Sequence, residues 1–282
     1  MEFLYLTVTI FAIALQSVVR KSFNRKVQDG GVFIFSSVSV LSAALFFLFS
    51  AGQPLNFTVE MIPYSIGFGL TYCVAVIFSF LSIREGPLSL TSLITSFSLL
   101  IPALFGILFF NEPISIFLFI GLAFLIASLI LINLKNEECK ITLKWLIFVS
   151  ITFLSNGMCS VVQNSYVKLG MGNKNEFMVI ALGIAFLILI VLSLFTEKEK
   201  FPSSLKGGWI YMTSCGIANG VANLFVILLS AIMSASLMFP LISAGGIIVT
   251  SLISIFYYKE KLTPTQYVGM VLGIAATVLL NL

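Results

Sequence analysis

Apolar residues run along the chain in ten stretches, at about 3–19, 32–50, 61–82, 88–110, 116–134, 143–166, 177–195, 208–229, 233–257 and 266–281. Each is near the roughly 20 residues that cross a hydrocarbon core of about 30 Å. The runs are long and show no period-two alternation, so they predict helices rather than strands. The expected fold is all-α: a polytopic membrane protein with ten transmembrane helices. The links are short. Arg84-Glu85-Gly86-Pro87 reads as a turn, Asn111-Glu112-Pro113 separates the fourth and fifth spans, and the eighth and ninth barely part near Ser230. The first stretch has no basic leader and no good cleavage site, so it reads as a retained helix and not as a signal peptide.

The polar punctuation repeats. The pattern from Leu88 to Asn133 returns from Ser236 to Asn281, with Glu112 falling on Glu260, Gly121 on Gly269 and Phe109-Phe110 on Tyr257-Tyr258. Earlier, Ser17-Val18-Val19-Arg20 echoes Ser160-Val161-Val162-Gln163. A division near Lys135–Lys140 leaves five spans on each side, so the expected halves are 1–137 and 138–282. Five is odd, and the second copy must therefore enter the membrane in the opposite direction. That is a 5+5 inverted-topology repeat, an architecture that suits alternating access.

Composition excludes a soluble domain: 9% of residues are charged and 59% hydrophobic, against about 25% charged in soluble domains. Thirteen of the fifteen Lys and Arg fall in the links that follow the odd-numbered spans, leaving only Lys168 and Lys174 for the opposite side. The positive-inside rule then places both termini outside the cell. Basic residues spread singly between apolar runs give no reason to expect nucleic acid. Glu197-Lys198-Glu199-Lys200 reads as solvated surface. With no histidine, no nucleophile–base pair and no phosphate-binding loop, neither an enzyme nor an ATP-driven pump is expected. The four cysteines lack metal-ligand spacing, and no metal or cofactor is expected.

Charge is absent from the centres of the predicted spans, so the amides carry the chemistry. Asn156, Ser160, Gln163 and Asn164 form a stripe on the sixth span, Asn219 and Asn223 lie one turn apart on the eighth, and Gln16 precedes Arg20 by four on the first. An unpaired carboxamide in lipid is costly. These faces must look inward, either bonding across helices or lining a wet cavity. Pro102 and Pro240 interrupt the helical ladder and are candidate gating bends. Gly216 and Gly220 permit close packing. Glu85, Glu112 and Glu260 lie at span ends, where caps and loop anchors need no transport role.

Ten helices, the five-plus-five duplication and the acidic turns at Glu112 and Glu260 resemble the bacterial EamA-like branch of the drug/metabolite transporter superfamily. The resemblance covers essentially the whole chain. It implies a secondary carrier in a bacterial inner membrane, with lipids around it and a small organic solute, such as an amino acid or related metabolite, as its partner; export also comes from the resemblance alone. It implies a cavity built by helices one, three, four, six, eight and nine. On this chain that selects Gln16, Tyr72, Ser92, Asn156, Asn164, Asn219, Asn223 and Ser243 as substrate-binding residues. A monomer suffices for such a carrier, with a homodimer as the other arrangement. Many relatives keep both termini in the cytoplasm, the reverse of the charge count. A multidrug carrier and a non-transporting scaffold or receptor are the competing readings. The scaffold predicts amides paired across helices and no central cavity.

Overall fold

The computed structural model describes residues 1–27, 30–51, 55–85, 88–113, 115–133, 142–256 and 263–280. Their regular structure is helical. In chain order the helices are α1 (Glu2–Lys26), α2 (Val32–Ser50), α3 (Ile62–Glu85), α4 (Leu88–Phe97), α5 (Leu100–Phe109) and α6 (Ile116–Asn133). They continue as α7 (Leu143–Lys168), α8 (Lys174–Thr196), α9 (Phe201–Ile232), α10 (Ala235–Phe256) and α11 (Pro264–Leu280). Among the described residues, six helices are long and apolar enough to cross a membrane: α1, α2, α3, α7, α8 and α9. Large apolar side chains stand on their outer faces, with Phe49 81% and Phe195 85% exposed. In water such faces would drive aggregation; against lipid they are the favourable surface.

Two sequence expectations change. The first span does not stop at residue 19, because α1 continues through Arg20 to Lys26. Basic residues end a hydropathy run without ending a helix, and in a last turn they complement its dipole. The fourth stretch is not one helix. Pro102 has no N–H to offer the Ser98 carbonyl four residues back, and its ring would clash there. The chain breaks after Phe97, the Ser98 carbonyl takes the Ile101 N–H at 3.1 Å, and Pro102 falls in the first turn of α5. Pro240 differs: it is buried inside α10, which continues past it.

Helix pairing follows the small and aromatic residues. α1 lies against α9 and α10, α3 against α7 and α8, and α2 against α8 and α9; α6 pairs with α11, and α5 touches α10 and α7. The largest apolar core joins α2, α3, α7 and α8 around Phe47, Phe68, Phe177 and Leu182. There Tyr166 stacks on Phe177 with ring centroids 4.2 Å apart. Gly216 allows the closest approach of α2 and α9, since any Cβ on it would run into the Ser39 carbonyl oxygen. Gly220, one turn on, faces the Phe46 ring in the same way. This is small-residue packing as lipid requires it, with dispersion replacing a hydrophobic drive.

Two acids described as loop residues are structural. Asn111 adopts a positive φ of 51°, which Asn tolerates better than most residues, and the chain turns back there. The Glu112 carboxylate then accepts the Ala235 and Ser236 N–H groups, each at 2.8 Å, capping the N-terminus of α10. Glu197 caps α2 by accepting from Val32 and Phe33 at 2.9 Å and from Ile34 at 3.1 Å. It is only 8% exposed, which corrects the expectation of a wholly solvated charge run. Glu85 is different, reaching Lys144 at 2.7 Å on an accessible surface. Glu260 lies outside the described residues.

Candidate functional site

A cavity of about 610 Å³ lies between the helices. Arg20 and Asn24 of α1 reach it, as do Ser39 of α2 and Tyr72 of α3. Thr95 of α4, Thr152 and Asn156 of α7, and Asn219 of α9 add to its polar wall, with Ser36 and Ser79. Phe35 and Phe80 give it apolar surface. The lining sits toward the C-terminal ends of α1 and α3 and the N-terminal ends of α2 and α7. Asn24 is exposed at that end, so the cavity is reached from the face that carries most of the basic links.

The broken span borders the cavity. Asn156 donates to the Ser98 hydroxyl at 2.6 Å, directly at the break between α4 and α5. One of the two amide hydrogens is used there; the second hydrogen and the carbonyl oxygen keep further capacity. Discontinuous helices beside a midplane cavity are a recurrent way for carriers to expose backbone and small polar groups to a solute.

Behind the cavity the remaining amides form a chain. Gln163 of α7 donates to Asn223 Oδ1 at 3.2 Å. Asn223 Nδ2 donates to Asn219 Oδ1 at 3.1 Å. Asn219 Nδ2 donates to Gln16 Oε1 of α1 at 3.2 Å. Four carboxamides thus tie α7, α9 and α1 together, and Asn219 is the member that also touches the cavity. A hydrogen-bonded chain is polarised along its length, so a perturbation at one amide reaches its neighbours.

The expected site residues therefore separate. Tyr72, Asn156 and Asn219 line the cavity. Gln16 and Asn223 stand one hydrogen bond behind Asn219. Asn164 is 1% exposed, with neither amide atom hydrogen-bonded, and it does not reach the cavity. Ser243 is half-buried in α10 away from the lining, and the Ser92 side chain lies outside the described residues. Arg20 was missed. An uncharged centre was expected, yet this cation is in the cavity wall, because α1 carries it well inside the helix and not at its end. The signal was the four-residue step from Gln16 to Arg20 and on to Asn24, which keeps one helical face.

The sequence model of the EamA-like transporter family matches residues 143–282. The chain contains an EamA domain. That family is part of the drug/metabolite transporter superfamily, whose members are transporters and not enzymes. Among the described residues no group of His, Cys, Asp and Glu is placed to hold a metal ion. The EamA domain supplies Thr152, Asn156 and Asn219 to the cavity, while Arg20, Tyr72 and Thr95 come from the segment before it. A solved protein crystal structure superposes with a TM-score of 0.81 over 99% of this chain and 95% of that chain, at 12% sequence identity. That likeness establishes a shared fold. No curated protein matches the chain.

Proposed function

We propose that this membrane protein is a secondary carrier of a small organic solute, working by alternating access between halves 1–137 and 138–282. The observation that carries the reading is the cavity of about 610 Å³ with polar wall residues from both halves. Such a volume lies in the range of small-molecule sites, about 300–1,000 Å³. The helix pairing supports an inverted repeat of ten spans, with α4 and α5 counted as one. Exchange α1–α3 with α7–α9, α4–α5 with α10, and α6 with α11. The α1–α9 contact then becomes α7–α3, α2–α9 becomes α8–α3, and α1–α10 becomes α7–α5. The α2–α8, α5–α10 and α6–α11 contacts map onto themselves. A pseudo-two-fold axis gives this pattern.

In this reading Tyr72, Asn156 and Asn219 contact the solute. Gln16 and Asn223 hold Asn219, and the break at Pro102 with the proline at 240 supplies bending points in the two related spans. Export is the direction that the family resemblance favours, and a bacterial inner membrane is the setting. The scaffold alternative predicts paired amides and no cavity; Gln16, Asn156, Gln163, Asn219 and Asn223 are paired, Asn164 is not, and a cavity lies beside them. Counterflow in proteoliposomes across a panel of amino acids and organic acids tests the carrier. Saturable exchange of at least one solute is expected, and a folded protein that exchanges none would remove the reading.

The positive-inside rule places the cavity mouth in the cytoplasm and both termini outside. A cysteine introduced at Lys26 is then labelled by an impermeant maleimide only after the cytoplasmic face is exposed. Labelling from the outer face of intact cells reverses the orientation.

A further inference from the structure

The cavity holds a charge that the described residues of its wall do not balance. Arg20 supplies a guanidinium, and among the described residues no carboxylate lines the cavity. Among the described residues Arg20 forms no ion pair with an acidic side chain. A guanidinium stays charged at physiological pH and presents a rigid fork of donors. Inside a protein an unpaired charge is expensive. The Arg20 side chain hydrogen-bonds Cys215 of α9 and is otherwise exposed to the cavity space, so its fork is open to an anion that enters.

The hydroxyls sharpen this. Ser36 donates to the Val32 carbonyl at 2.8 Å and Ser39 to the Met212 carbonyl at 3.0 Å. Thr95 donates to Thr91 at 2.8 Å and Thr152 to Phe148 at 2.9 Å. All four line the cavity. Each hydroxyl has one O–H, and each has directed it at a backbone carbonyl. What they offer the cavity is lone pairs. The wall thus holds one fixed cation and four hydroxyls that present lone pairs, beside the Asn24, Asn156 and Asn219 amides and the Tyr72 hydroxyl, which can donate as well as accept.

We infer that the solute is a hydroxy-monocarboxylate, with its carboxylate on Arg20 and its hydroxyls donating to the serine and threonine oxygens. The inference rests on the carrier reading for its role but concerns the ligand class of the same cavity. A phosphate monoester carries up to two negative charges near neutral pH, against one guanidinium. An ammonium group repeats the sign of Arg20 and finds no carboxylate among the described lining residues.

The test is calorimetric titration of the full chain in nanodiscs. The probes are gluconate and phenyllactate, their amides, phenylalanine, and glucose 6-phosphate. At least one hydroxy acid is expected to bind about tenfold more tightly than its amide, as a charge-assisted contact implies. The same acid should exceed phenylalanine and glucose 6-phosphate. The preference should vanish in Arg20→Gln and persist in Arg20→Lys. Equal binding of acid and amide in the wild-type protein overturns the inference, as does tighter binding of phenylalanine or glucose 6-phosphate. Survival of the preference in Arg20→Gln, or failure of both hydroxy acids to bind, overturns it too. Binding of gluconate without counterflow of any solute leaves the ligand class standing and removes the carrier.

Discussion

Asn219→Leu is expected to cut solute counterflow by about tenfold or more while the protein remains folded. The substitution removes the amide that touches the cavity and breaks the chain on both sides of it. Gln16 loses its Asn219 donor, and Asn223 Nδ2 keeps only the Asn219 backbone carbonyl, at 3.0 Å. Gln16 is 9% exposed, and a buried polar atom left without a partner costs about 1–3 kcal/mol. Asn156→Leu should act in the same direction, because it strips the amide at the α4–α5 break. Lys198→Ala, on the accessible surface, is the comparison. Initial rates measured in proteoliposomes, normalised to protein that elutes as a single species, decide the matter. Equal rates in Asn219→Leu and Lys198→Ala would show that the amide chain is packing and not part of the solute path.

Glu112→Gln is expected to lower the thermal midpoint by several degrees, well beyond the effect of Glu85→Gln. The carboxylate offers one oxygen to each of two N–H groups at the start of α10. An amide of the same shape keeps one acceptor and turns an NH₂ toward the other N–H. It also removes a negative charge from the positive end of a helix. Charge-assisted bonds of this kind are worth about 1.5–3 kcal/mol each. Glu85→Gln is the internal contrast, because the exposed Glu85–Lys144 pair belongs to a class worth about 0–1 kcal/mol. Scanning fluorimetry in one detergent measures both. A Glu112→Gln midpoint no lower than that of Glu85→Gln would mean that the cap contributes little.

The two acids also show how far the sequence could be read. Hydropathy placed the apolar stretches because lipid imposes length and internal hydrogen bonding on any span. The duplicated pattern brought out Glu112 by its spacing, and a capping role was within reach because span-end acids need partners. Its partner, the start of α10, was not. Long-range partners leave no periodic trace in a single chain. Glu197 was hidden further, since its neighbours Lys198, Glu199 and Lys200 give the average polarity of a solvated run. The same averaging ended the first span at residue 19 and lost Arg20. Polarity marks where hydropathy falls, whereas a helix ends where its backbone hydrogen bonds find no continuation. The amide faces were legible from spacing alone. Which amide met the cavity and which met another amide depended on the rotation of α7 and α9 against α1, and no local pattern encodes that angle.

The bare seat of Gly216 on the Ser39 carbonyl bears on motion. Two backbones meeting without side chains between them have no cushion to absorb a longitudinal slip, but they form a fulcrum. In the proposed carrier, a reversal of access that keeps this contact would rock α2 and α9 together as a lever, carrying Asn219 with it, and would find its sliding surfaces elsewhere in the bundle.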